Sequence, residues 1–60
     1  MLKVGDYVTF RTDSAVLYQV KEIDYNGGIT YFKYFDTECN CDVWEKLDYV
    51  DKIYEVKVKE

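Results

Sequence analysis

Residues 15–36 read AVLYQVKEIDYNGGITYFKYFD, and the rest of the strand pattern follows from how this stretch is parsed. β-branched and aromatic side chains dominate both halves and recur with a period near two. Between the halves stands Asn26-Gly27, a pair favoured in type I′ turns because both central residues need φ > 0. The stretch is therefore expected to form one long antiparallel hairpin, with strands over residues 15–24 and 29–35. Gly28 leaves room for a longer loop. A two-residue turn at Asn26-Gly27 sets Tyr18 opposite Phe35, Val20 opposite Lys33 and Glu22 opposite Tyr31 on one face. On the other, Gln19 meets Tyr34 and Lys21 meets Phe32. Neither face is cleanly apolar. Such a pattern calls for a bulge, or for a sheet curled so that each face is buried over part of its length.

Working outward, YVTFR (residues 7–11) reads as a first strand introduced by Val4-Gly5-Asp6, with a turn over residues 12–14. Residues 42–47 fit either a fourth strand or a helical turn. Trp44, Leu47 and Val50 are spaced by three, which places a short helical segment near residues 43–49. In residues 53–59, Tyr54, Val56 and Val58 alternate with Glu55, Lys57 and Lys59, the pattern of a closing strand. The expected fold is all-β: one domain over residues 1–60, a small antiparallel barrel of four to five strands with a short helical turn. An open sheet packed by one helix is the alternative. A chain of 60 residues buries only about 60% of the surface it exposes unfolded. Its seven tyrosines, three phenylalanines and one tryptophan are then the main source of core.

The opening VGDYVTF, then AVLYQVKEID, a glycine turn and ITYFKYFD resemble the SH3-like small barrels of the Tudor and KOW type. The resemblance runs over about residues 4–53. In those families a Gly-Asp pair introduces the first strand, and the second carries an aromatic followed by aliphatics, here Tyr18, Val20 and Ile23. The third ends in an aromatic and an acid, here Phe35-Asp36. The Tyr-Gly-Asn step that often follows in Tudor domains is replaced by Asp36-Thr37-Glu38. The resemblance implies an SH3-like barrel presenting aromatics between its strand ends, where they hold methylated lysine or a proline-rich peptide. Phe10, Tyr18, Tyr31, Tyr34 and Phe35 are candidates for that surface, with Asp36 beside them to complement a cation. The competing reading assigns most of these rings to the core. Tyr7, Tyr25 and Tyr34 are the ones expected to turn outward.

Charge separates the remaining functions. The net charge is −4, and residues 36–51 carry six carboxylates against Lys46 alone, a local −5 that leaves +1 elsewhere. Ordinary phosphate-backbone binding draws on basic patches, so nucleic acid is a disfavoured partner. A protein or peptide with a basic surface is the favoured one, met by Tyr34, Asp36, Glu38, Asp42, Glu45 and Asp48. Two alternatives stay open. One is an acidic inhibitor of the kind made by phages or mobile elements, which imitates nucleic acid. The other is a small barrel that binds nucleic acid through Lys21, Lys33, Lys57 and Lys59 with stacking aromatics. The N-terminal MLKVGDYV has no apolar run of signal-peptide or membrane-helix length, so a cytoplasmic protein, monomeric or homodimeric, with no membrane partner is expected.

Chemistry finds little footing. There is no histidine, and Ser14 is the only serine, so an enzyme is not expected. Cys39 and Cys41 lack the further thiolate or imidazole ligands of a structural zinc site, and no cofactor is called for. Asp36, Glu38, Asn40 and Asp42 match alternate positions of a calcium loop, yet Cys41 stands where that loop needs glycine and Leu47 where it needs glutamate. If residues 39–41 are extended, the two Cβ atoms lie too far apart to bridge, so free reduced thiols are expected.

Overall fold

The computed structural model describes residues 2–57. It is all-β: β1 (Tyr7–Phe10), β2 (Asp13–Asn26), β3 (Ile29–Asp36), β4 (Cys41–Lys46), a 3₁₀ turn (Leu47–Tyr49) and β5 (Val50–Tyr54). Every pairing is antiparallel, in the order β4-β3-β2-β1-β5. β1 to β4 form a meander, and β5 returns to lie beside β1. β4 and β5 are the two edges and do not pair with each other, so the sheet is open. No described helix is long and apolar enough to cross a membrane.

The long hairpin is present, with its turn one residue later than expected. Asn26 pairs with Ile29, and Gly27 and Gly28 make the turn at φ of 60° and 80°. Glycine at both positive-φ sites removes the Cβ clash that Asn26 would meet at one of them. From the turn inward the pairing runs Tyr25–Thr30, Asp24–Tyr31, Ile23–Phe32 and Glu22–Lys33. It then slips, and Val20 faces Tyr34. The slip is a β-bulge at Lys21.

This bulge explains why neither face of the hairpin reads as apolar. Near the turn Ile23 lies on the inner face opposite Phe32; without the slip, Lys21 would follow it inward. The extra residue leaves Lys21 and Glu22 both exposed and turns Val20 in against Tyr34. Tyr34 is accordingly buried at 7% exposure, which corrects the expectation that it turns outward. Tyr25 is exposed as expected, and Tyr7 is half-buried.

β2 is long enough to pair with β1 over its first half and β3 over its second, and the sheet curls about it. Phe10 of β1 and Tyr34 of β3 sit on strands that do not neighbour each other, yet their ring centroids are 5.2 Å apart. In a flat sheet two strand spacings would separate those backbones by roughly 9.5 Å. The curled inner face gathers Leu2, Val8, Val20, Phe32, Tyr34 and Val50 into one core, with Phe10, Tyr18, Ile23, Val43 and Leu47 packed against it.

The glycine-aspartate step organises the approach to β1. Gly5 takes φ of 97° in a turn closed by the Asp6 N–H donating to the Lys3 carbonyl at 3.1 Å. The buried Asp6 carboxylate accepts the Lys3 N–H at 2.9 Å, and the Asp6 carbonyl accepts the Val20 N–H at 2.8 Å. The turn is therefore bonded to β2 beside the bulge.

Several expected boundaries move. Residues 43–46 are strand, and only Leu47–Tyr49 are helical. The first turn is tighter than residues 12–14, because β2 begins at Asp13. The closing strand spans Val50–Tyr54, not residues 53–59: its only neighbour, β1, begins at Tyr7, which already faces Tyr54. Residues 55–57 have no strand to pair with, and residues 58 and 59 lie outside the described ones. Without a covering strand Val56 stays 48% exposed despite its alternating pattern.

Among the described residues, one buried side-chain polar atom has no partner. Thr9 is 3% exposed and its Oγ1 makes no hydrogen bond. Thr9→Val keeps the shape and removes the desolvated hydroxyl, so it is expected to stabilise the domain by about 1 kcal/mol. Urea denaturation would check this; a destabilised variant would mean the hydroxyl is satisfied.

Candidate binding groove

At one end of the curled sheet, strand ends and turns enclose an open groove of about 440 Å³. Its aromatic wall is Phe10 from the end of β1, Tyr18 from β2, Tyr34 from β3 and Tyr49 from the 3₁₀ turn. Its acidic rim is Asp13, Asp36, Glu38 and Glu45, with Arg11 and Thr12 beside them.

Three of the four rings pack against one another. Phe10, Tyr18 and Tyr34 pack mutually, with ring centroids 5.0–5.3 Å apart and planes inclined by 53–61°, the tilted geometry aromatic pairs favour. Phe10 also stacks on Phe32 at 5.9 Å, which ties the wall to the centre of the core. The Arg11 N–H donates to the Tyr49 carbonyl at 3.2 Å, holding the β1–β2 turn against the 3₁₀ turn across the groove.

The groove is lined by four carboxylates and one arginine, and its tyrosines respond first to burial and then to the carboxylates. Burial raises the Tyr18 hydroxyl above its ordinary value of 10.0, and Asp36, Asp13 and Glu38 raise it further. Tyr34 is raised by burial first, then by Asp36, Glu45 and Tyr18. A tyrosinate in this groove would face carboxylates on several sides, so both hydroxyls stay protonated as donors. The same field favours a cation.

Strand alternation sorts the acidic residues expected to form a single surface. In β4, Val43 faces Tyr34 and Glu45 faces Phe32 on the inner side, while Asp42 and Trp44 point out. Tyr34, Asp36, Glu38 and Glu45 thus converge on the groove, with Tyr34 as its largely buried floor. Asp42 does not join them: its Oδ1 is 2.8 Å from Lys21 Nζ on the outer face. Asp48, exposed in the 3₁₀ turn, does not line the groove either. Asp13 and Tyr49 do line it, and no sequence pattern marks them. Asp13 is the lone acid of its turn and Tyr49 lies 36 residues further on, so only the return of β5 to β1 brings them together.

Of the aromatic candidates, Tyr31 and Phe35 belong to the outer face. There Lys21 Nζ lies 6.0 Å from the centroid of Phe35, and Lys33 Nζ lies 5.8 Å from that of Trp44. Lys33 also pairs with Glu22. The lysines of this face are largely matched by acids.

The cysteines correct the sequence reading: Cys39 and Cys41 form a disulfide. In an extended segment their Cα atoms would lie about 6.7 Å apart. Asn40, at φ of 57°, turns the chain back and brings them from that outer limit of bridge geometry to 5.4 Å, close to the commonest separation. The four-residue loop between the paired Asp36 and Cys41 imposes that left-handed residue, which asparagine tolerates better than most side chains. Among the described residues, no three histidine, cysteine, aspartate or glutamate side chains gather as a metal site.

Comparison with protein-family models, with curated proteins and with solved structures finds no match for this chain.

Proposed function

We propose that the chain is a non-enzymatic binding module that holds a basic segment of a protein partner in this groove. The observation that carries the reading is the convergence of four aromatic rings and four carboxylates, drawn from β1, β2, β3, β4 and the turns, on one open surface. An arginine or lysine side chain laid there meets ring faces for cation–π attraction and carboxylates for charge-assisted hydrogen bonds. The fold reading deepens to an SH3-like barrel of the Tudor and KOW type. The β4-β3-β2-β1-β5 order, the bent β2 and the 3₁₀ turn before β5 support it, although β4 and β5 do not pair with each other.

The nucleic-acid-mimic alternative has less support, because Asp42 and Asp48 lie away from the four acids of the groove and the charge is not one strip. Titration of a lysine- and arginine-rich peptide, followed by backbone amide shifts, tests the proposal. Saturable shifts at Phe10, Tyr18, Glu38 and Tyr49 that weaken with added salt are expected. Absence of binding at low salt, or shifts centred on Trp44 and Lys33 with a single-stranded oligonucleotide instead, would overturn it.

A further inference from the structure

We infer that the Cys39–Cys41 disulfide is a thiol-exchange site that opens and closes in the folded protein, with small cationic thiols as its preferred reactants. Three observations carry this. Both cysteines are exposed, so a thiolate has access to either sulfur. The bridge spans one intervening residue in a hairpin loop outside the core, so it removes little conformational freedom from the unfolded chain. Opening it therefore leaves the fold standing.

The third observation is electrostatic. Asp36 pairs directly with Cys41 across the β3–β4 hairpin, where facing side chains on one side of a sheet are about 5 Å apart. Cys39 Sγ lies 3.8 Å from the Asp36 carbonyl oxygen, and Glu38 adjoins Cys39 in the chain. The loop is braced by Glu38 N–H donating to Asp36 Oδ1 at 2.9 Å, which holds the Asp36 carboxylate over the loop that carries the bridge. An anionic thiol is repelled on approach and a cationic one attracted.

The chemistry balances with the thiol alone as reductant. A thiolate RS⁻ attacks one cysteine sulfur, forming a mixed disulfide; the other cysteine leaves as thiolate and takes up a proton. A second RS⁻ displaces the first cysteine in the same way. The sum is one protein disulfide and two RSH giving two protein thiols and RSSR.

The test compares cysteamine (cationic), 2-mercaptoethanol (neutral) and glutathione (anionic) on the native protein. Reactions are stopped by alkylation and read by mass spectrometry. Each rate is scaled to the thiolate fraction and to the same reagent acting on a small neutral disulfide. Scaled rates are expected to fall in the order cysteamine, 2-mercaptoethanol, glutathione, by about two- to threefold per step at low salt. They should converge at high salt. Glu38→Gln should narrow the spread, and near-ultraviolet circular dichroism should keep its native form after full reduction. Equal scaled rates at low salt would overturn the inference, as would a bridge that opens only in denaturant. Neither result depends on what occupies the groove.

Discussion

Phe32→Ala is expected to leave this protein largely unfolded at room temperature. Phe32 is fully buried, and its ring stacks on Phe10 at 5.9 Å and tilts against Tyr34 at 5.7 Å. Truncating a buried phenylalanine to alanine costs about 3–5 kcal/mol through lost transfer energy and the cavity left behind. A 60-residue domain has a total stability on the order of 3–9 kcal/mol, and one this small lies toward the low end. The cost therefore takes most of the margin. Collapse of amide shift dispersion would show it directly. Phe32→Leu, which keeps most of the volume, should cost less than about 1.5 kcal/mol and retain the native spectrum. If the alanine variant unfolds at nearly the wild-type urea midpoint, Phe32 is not the centre of the core.

Neutralising Asp36, Glu38 and Glu45 together, as D36N, E38Q and E45Q, is expected to weaken binding of a lysine- and arginine-rich peptide about tenfold at low ionic strength. Exposed charge pairs contribute about 0.2–1 kcal/mol each, and three of them sum to the roughly 1.4 kcal/mol of a tenfold change. The amide introduced by D36N keeps an oxygen to accept the Glu38 N–H, so the loop brace survives the substitution. The companion variant, D42N with D48N, removes charge that does not line the groove and should leave affinity within about twofold. At physiological salt, where screening acts over about 8 Å, the gap between the two variants should shrink. Equal losses in both, read by calorimetric titration, would mean that net charge rather than the groove selects the peptide.

Local chemistry carried much of the architecture. Alternating β-branched and aromatic residues marked β1, β2 and β3, Asn26-Gly27-Gly28 marked the hairpin, and Gly5-Asp6 marked the approach to β1. The conflict between the two faces of residues 15–36 even signalled the bulge. Each of these rests on neighbours in the chain: backbone φ preferences at glycine, and side chains that must alternate across a pleat.

What depended on the third dimension was which face each residue occupies and where pairing stops. A slip of one residue sends every later side chain to the opposite face, so placing the bulge at Lys21 decided that Val20 and Tyr34 are buried. The alternation of β4 sent Glu45 to the groove and Asp42 to Lys21, although the sequence shows them as members of one acidic run. β5 ended at Tyr54 because β1 offers no residue beyond Tyr7, and Asn40 closed the Cys39–Cys41 bridge because the hairpin required a left-handed residue there. The residues themselves determined that the chain makes strands, turns and an acidic segment. Only the curl of the sheet, driven by packing Tyr18, Val20 and Ile23 of β2 against one core, set three of those acids, together with Asp13, beside four aromatic rings.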